Sequence, residues 1–130
     1  MRLAHVMIRV NNLEESIEFY TNVLGMNVLK KTENEAYRYT LAFIGYSDNL
    51  NDQTAIELTY NWDTDSYDHG NAFGHLCLEV DDIYQTCEMI RQKGGQITRE
   101  PGPVKGGTSV IAFFKDPNGY QIELIEKKMR

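Results

Sequence analysis

The sequence predicts an α+β fold of two tandem βαβββ modules, which form a curved, mixed, eight-stranded sheet with the helices outside. Three segments recur in the same order in the two halves of the 130-residue chain. They are His5–Leu13 with His75–Ile83, Leu41–Ile44 with Ile111–Phe114, and Ile56–Leu58 with Ile122–Leu124. Each copy is about 55–60 residues long, which is too short to bury a sheet by itself. We therefore expect the two copies to form one domain.

In the first half, alternating aliphatic residues predict a strand over 3–10. Asn12 is the expected N-cap of a helix, because Glu15 follows three residues later as in a capping box. Apolar residues at helical spacing continue to Leu24, and Gly25 stands where the helix should end. Three strand-like segments follow, near 27–33, 37–46 and 54–60.

The second half repeats this plan. A strand over 75–80 leads to Asp82 as N-cap, and the pair Gly94-Gly95 ends the helix. Strands are predicted near 96–100, 108–114 and 120–126, with a turn at Asp116-Pro117-Asn118-Gly119 between the last two. We expect one domain over 1–130, with a first module of about 1–61, a linker of about 62–73 and a second module of about 74–127.

The composition excludes several classes of partner. A formal net charge of −6 disfavours nonspecific binding to DNA or to an anionic membrane. No apolar run approaches the roughly 20 residues that cross a bilayer, and the N-terminus has no signal-peptide layout. We therefore expect a cytoplasmic protein whose two cysteines, Cys77 and Cys87, are reduced and buried.

Two histidines and two glutamates occupy equivalent places in the two copies. Strand alternation places His5 and His75 on the face opposite the aliphatic residues, while Glu57 and Glu123 interrupt apolar runs. An ionised glutamate buried in a sheet is costly unless it is paired or bound to a metal. Singly, each residue has a structural explanation, as a strand histidine or a solvated glutamate. Together, the four could converge on one divalent metal, which favours Lewis-acid or proton-transfer chemistry.

Several segments resemble glyoxalase I (lactoylglutathione lyase), in its short bacterial form. They are Arg2–Val10, Phe19–Met26, Ala55–Trp62, Phe73–Leu76, Gly102–Gly107 and Phe114–Leu124. The resemblance covers essentially the whole chain. Glyoxalase I belongs to the vicinal oxygen chelate superfamily, whose paired βαβββ modules match the duplication in this sequence.

The resemblance implies the site and its chemistry. It places the four metal ligands on His5, Glu57, His75 and Glu123, and it favours Ni²⁺, with Co²⁺ possible and Zn²⁺ less favoured. The implied reaction isomerises the hemithioacetal of methylglyoxal and glutathione to S-lactoylglutathione through an enediolate. Glu123 is the expected main base, and Glu57 acts on the other face or the opposite enantiomer.

The resemblance also implies contacts with glutathione as co-substrate and an oligomeric state. The expected substrate-binding residues are Arg9, Asn61, His75 and Lys105, the last in a glycine-rich loop. Family members are commonly homodimers in which the N-terminal module of one chain faces the C-terminal module of the other. The alternatives are an acyl-CoA epimerase or a metal-free small-molecule-binding protein of the same fold.

Overall fold

The computed structural model describes residues 1–128; residues 129 and 130, which the predicted domain includes, lie outside the described residues. The chain divides into two compact units, Met1–Asp68 and a second unit that begins at His69. This boundary falls inside the segment 62–73, which the sequence predicts as a linker. Within residues 1–128, no helix has the length and hydropathy needed to cross a membrane.

The first unit contains a four-stranded sheet in the order β1-β4-β3-β2. Its strands are β1 (His5–Arg9), β2 (Asn27–Asn34), β3 (Tyr39–Gly45) and β4 (Ala55–Asn61). Between β1 and β2 lies α1 (Leu13–Glu18), which continues directly as a π-helical turn over Phe19–Val23. Strands β1 and β4 are parallel, and the other two pairs are antiparallel. This is the predicted βαβββ order.

The second unit repeats the same topology in a sheet of order β5-β8-β7-β6. Its elements are β5 (Leu76–Val80), α2 (Ile83–Gln92), β6 (Gln96–Pro103), β7 (Val110–Lys115) and β8 (Gln121–Glu126). Strands β5 and β8 are parallel, and the other pairs are antiparallel. The eight predicted strands are therefore arranged as two sheets of four, one in each unit.

The predicted N-caps define where both helices begin. The side chains of Asn12 and Asp82 accept hydrogen bonds from the backbone N–H groups of Glu15 and Gln85, each at 3.0 Å. Gly25 ends the first helix with φ +75°, which glycine adopts without steric cost. Sequence spacing predicts one regular helix before Gly25, whereas the last turn is π-helical, with the Leu24 N–H donating to the Phe19 carbonyl at 3.2 Å.

One face of each sheet packs against a helix, and this packing determines which side chains remain available for chemistry. In the first unit, α1 packs against β3 and β4, and Ile8 of β1 and Leu58 of β4 are buried on the same face of the sheet. In the second unit, Ile122 and Leu124 of β8 are buried in the same way. Because side chains alternate along a strand, the intervening residues of these strands project from the opposite face.

The turn between β7 and β8 depends on a buried carboxylate. Asp116 is buried, and its Oδ1 atom accepts hydrogen bonds from the backbone N–H groups of Asn118 at 2.9 Å and Tyr120 at 2.8 Å. Its Oδ2 atom accepts a third bond from the Asn118 side-chain amide at 3.0 Å. This network fixes the point at which β8 begins, and β8 carries Glu123.

We expect Asp116→Ala to lower the free energy of unfolding by about 2–4 kcal/mol, because it leaves buried donors without their acceptor. Chemical denaturation monitored by circular dichroism measures this loss. The matched control is Asp48→Ala in the exposed loop between β3 and β4, which should change the unfolding free energy by less than about 0.5 kcal/mol. Equal stability of the two variants would contradict this role of Asp116.

Candidate metal centre

The first unit brings His5 and Glu57 together on the face of its sheet that α1 does not cover. Strand β1 is parallel to β4, and His5 lies two residues before Met7, whose Cα is paired with that of Glu57. The His5 Nε2 atom lies 3.4 Å from the Glu57 Oε1 atom. The glutamate side chain is only 14% exposed, whereas the imidazole is 42% exposed. The carboxylate is therefore largely withdrawn from solvent, and the imidazole remains accessible.

The second unit repeats this pair with His75 and Glu123. Cys77 stands opposite Glu123 in the parallel pairing of β5 with β8, as Met7 stands opposite Glu57. The His75 Nε2 atom lies 3.7 Å from the Glu123 Oε2 atom, and the two side chains are 41% and 15% exposed. The duplication therefore extends from the sequence to the side-chain geometry.

Each imidazole also meets an aromatic ring from the neighbouring strand. Phe43 of β3 is paired with Glu57, and its ring lies edge-on to His5 with the centroids 5.2 Å apart. Phe113 of β7 makes the equivalent contact with His75 at 5.1 Å. An edge-to-face contact restricts rotation of the imidazole, so both histidines are held towards their glutamates.

The two glutamates differ in the hydrogen bond that each accepts. The Thr59 hydroxyl donates to the Glu57 Oε2 atom at 2.6 Å. The Cys77 thiol donates to the Glu123 Oε1 atom at 3.7 Å. A hydroxyl bond to a charged acceptor contributes about 1.5–3 kcal/mol, whereas a thiol is a weak donor. Sequence reasoning missed both donors, although Thr59 lies two residues after Glu57 and so must share its face.

The prediction that both cysteines are buried is correct for Cys87 and wrong for Cys77, which is exposed. Cys77 shares strand parity with His75, so it lies on the uncovered face of the sheet. Partial desolvation, followed by the negative charge of Glu123, raises the pKa of the Cys77 thiol to about 11. Cys77 is therefore a neutral thiol at physiological pH.

The predicted substrate-binding residues occupy different environments. Arg9 is exposed on the same face of β1 as His5, four residues further along. Asn61 ends β4 on the Glu57 face, and its side-chain oxygen accepts a long hydrogen bond of 3.5 Å from the Tyr67 hydroxyl. Lys105 is exposed in the turn between β6 and β7, away from any strand pairing.

The donor atoms within each pair fit binding to a common metal ion. Bonds from a metal to imidazole nitrogen or carboxylate oxygen are about 2.0–2.2 Å long, so two ligand atoms of one ion lie at most about 4.4 Å apart. The observed distances of 3.4 and 3.7 Å meet this limit. Within the part of the chain that the structure describes, no group of three or more His, Cys, Asp or Glu side chains forms a complete metal site. Each unit contains one such pair of donors.

A cavity of about 700 Å³ in the first unit lies away from these pairs. Its lining includes Leu13, Thr40 and Tyr60. Tyr60 of β4 is paired with Thr40 of β3. By strand alternation, the Tyr60 side chain lies on the face of the sheet opposite Glu57. None of the predicted site residues is among those that line this cavity.

Comparison with known proteins identifies the family. Residues 2–124 match the family described as the glyoxalase/bleomycin resistance protein/dioxygenase superfamily. The chain belongs to the glyoxalase superfamily. The predicted resemblance is thereby confirmed at the level of the family, and the two βαβββ units agree with it.

Individual members of the superfamily are close in sequence and structure. The lactoylglutathione lyase of Salmonella typhimurium is 59% identical over 98% of this chain and 94% of its own length. Glyoxalase I from Zea mays superimposes with a TM-score of 0.93 at 48% identity, over 98% of this chain and 45% of the maize chain. This chain therefore spans less than half of that maize protein. The trypanothione-dependent glyoxalase I of Leishmania major superimposes with a TM-score of 0.86 at 40% identity, over 97% of this chain and 86% of that chain.

The raised pKa of Cys77 predicts slow alkylation by iodoacetamide in the metal-free protein. A pKa of about 11 instead of 9.0 lowers the thiolate fraction about 100-fold near neutral pH. Because the more basic thiolate is also more nucleophilic, the net rate should be about tenfold below that of a model thiol, and should rise with pH towards 11. A Cys87→Ala background isolates Cys77. Adding Glu123→Gln removes a negative charge and should accelerate alkylation; an unchanged rate would contradict the assigned contact.

Proposed function

We propose that this chain is a lactoylglutathione lyase, a carbon–sulfur lyase that converts the hemithioacetal of methylglyoxal and glutathione to S-lactoylglutathione. The observation that carries the proposal is the duplicated His–Glu pair, found in a chain that is 59% identical to a lactoylglutathione lyase over nearly its full length. This reaction detoxifies methylglyoxal and is an internal oxidation–reduction of one substrate.

His5, Glu57, His75 and Glu123 are proposed as the ligands of one divalent metal ion. Two imidazoles and two carboxylates suit Ni²⁺, Co²⁺ and Zn²⁺ by ligand type. We propose Ni²⁺ as the preferred ion, by analogy with short bacterial members of the family. When bound, the ion supplies Lewis-acid stabilisation of the negative charge that develops on the substrate oxygens.

The proton transfer is assigned to the two glutamates. A proton leaves the carbon that bears sulfur, and a proton is returned to the neighbouring carbon, so that the substrate and the product are isomers. A carboxylate within hydrogen-bond reach of these carbons can act as both base and acid. Glu123 is proposed as the main base, and Glu57 as the group that serves the other face or the opposite enantiomer.

Glutathione carries two carboxylates and one ammonium group, and the proposed contacts match these charges. The guanidinium of Arg9 lies on the His5 face and suits a carboxylate. The Asn61 amide suits the peptide groups, Lys105 can meet a second carboxylate, and His75 borders the reacting end. The protein as a whole is acidic, so local cations are needed to bind an anionic thiol.

We further propose a cytoplasmic homodimer with its active sites at the subunit interface. Neither unit contains more than two of the four proposed ligands, so a complete site requires one pair from each unit, and in the proposed dimer the two pairs come from different subunits. The two cysteines are free thiols, which suits a reducing compartment.

Metal add-back is the direct test of the activity. Chelator-stripped protein should produce no thioester from the methylglyoxal–glutathione hemithioacetal, and Ni²⁺ should restore the reaction while Zn²⁺ restores little. Absorbance of the thioester measures the product. Restoration by Zn²⁺ alone would contradict the proposed preference for Ni²⁺ but would still support the proposed lyase reaction. Folded, metal-loaded protein without activity would overturn the lyase and favour an acyl-CoA epimerase.

Hybrid dimers test the shared site. Glu57→Gln and Glu123→Gln should each inactivate the protein, because each removes a ligand and an acid–base group. If the pairs meet across the interface, refolding an equal mixture should restore about a quarter of the wild-type activity, since half the dimers are hybrids with one intact site. The same activity in the mixture as in the separate variants would show that each chain builds its own site. Glu35→Gln, in an exposed turn, is the matched control for removal of a carboxylate.

A further inference from the structure

The two His–Glu pairs are built alike but are held differently. Glu57 accepts the Thr59 hydroxyl at 2.6 Å, and Thr59 is only 6% exposed. At the equivalent place in the second unit, two residues after Glu123, stands Ile125, which has no hydroxyl. Glu123 instead accepts the Cys77 thiol at 3.7 Å. The difference arises from the side chains and not from the fold, because the strand pairing is the same in both units.

The Thr59 bond occupies one carboxylate oxygen and leaves the other directed at histidine. Glu57 Oε2 accepts the hydroxyl, while Oε1 faces His5 at 3.4 Å. Threonine is branched at Cβ, so its χ1 angle is restricted, and the burial of Thr59 restricts it further. Rotation of the Glu57 carboxylate would leave a buried hydroxyl without its acceptor. Glu57 is therefore fixed in the orientation in which one oxygen is available beside His5.

We propose that Thr59 is a positioning residue that holds Glu57 as the more firmly bound metal ligand, while the absence of a hydroxyl at Ile125 leaves Glu123 the freer of the two to leave the metal during turnover. The inference rests on the proposed function and deepens it. A ligand that also acts as a base must detach from the ion, and Glu123, the proposed main base, is the less restrained of the two carboxylates. The duplicated site thereby acquires two unequal carboxylates.

Removal of the Thr59 hydroxyl tests the first half of the proposal. Thr59→Val keeps the branched shape and loses the donor, whereas Thr59→Ser keeps the donor. Loss of such an outer-sphere partner typically costs about 10–100-fold in metal affinity. Calorimetric titration of Ni²⁺ into chelator-stripped protein should show this loss for Thr59→Val and recovery of most of the affinity for Thr59→Ser. Equal affinity of Thr59→Val and the wild type would overturn the proposal.

Insertion of a hydroxyl beside Glu123 tests the second half. Ile125→Thr gives Glu123 the donor that Glu57 already has, and Ile125→Val is the matched control of the same shape without a hydroxyl. We expect Ile125→Thr to bind Ni²⁺ more tightly and to lower kcat about tenfold with little change in KM, because the proposed base is held on the ion. Equal kcat values in the two variants would show that restraint of Glu123 does not limit turnover, and would overturn this half.

Metal-free crystal structures separate the inference from the proposed function. The wild type should show Glu57 in one conformer bonded to Thr59 and Glu123 in more than one, and Thr59→Val should release Glu57. Equal order of the two glutamates in the wild type would overturn the inference, whatever the metal binding. A wild-type protein that binds no Ni²⁺ and forms no thioester would overturn the proposed function, while the conformers would still decide the role of Thr59.

Discussion

The parallel pairing of the first and last strands of each unit is the constraint on which the site depends. Because β1 lies beside β4 and β5 lies beside β8, a histidine near the start of one strand comes to lie next to a glutamate of the other. In a parallel pair the register cannot slip by one residue without moving every buried side chain to the wrong face. Burial of Ile8 and Leu58 on one face therefore fixes His5 and Glu57 on the other.

The same constraint explains how a largely buried carboxylate is tolerated. A glutamate that is 14–15% exposed loses much of its hydration, and it must recover this cost from neighbouring dipoles or charges. In the first unit the imidazole and the Thr59 hydroxyl supply this compensation, and in the second unit the imidazole and a weak thiol do so. The carboxylate of the second pair is therefore the less restrained of the two.

Strand alternation and capping patterns predict most of this fold, because both depend on local sequence. The caps at Asn12 and Asp82 and the order of elements in each unit agree with prediction. The π-helical turn was not predicted, because the apolar residues up to Leu24 follow the α-helical period, which gives no sign of a single wider turn. The end of β6 was also predicted wrongly, because the strand continues to Pro103. Its pairing with β7 contains two irregularities, which strand propensity does not predict.

The sequence predicted which residue types form the His–Glu pairs and which face of the sheet they share. It did not predict the exposure of the neighbouring side chains or their hydrogen bonds. Parity places His75 and Cys77 on one face, yet Cys77 was expected to be buried by analogy with Met7, which is itself 39% exposed. Parity also places Thr59 beside Glu57, but only atomic geometry shows that its hydroxyl is directed at a carboxylate oxygen. A duplication specifies two equivalent positions, but it does not keep their surroundings the same. In this chain the difference is a hydroxyl at Thr59 and its absence at Ile125, each two residues after the glutamate, so the two pairs differ in the restraint on the carboxylate and not in their own residues.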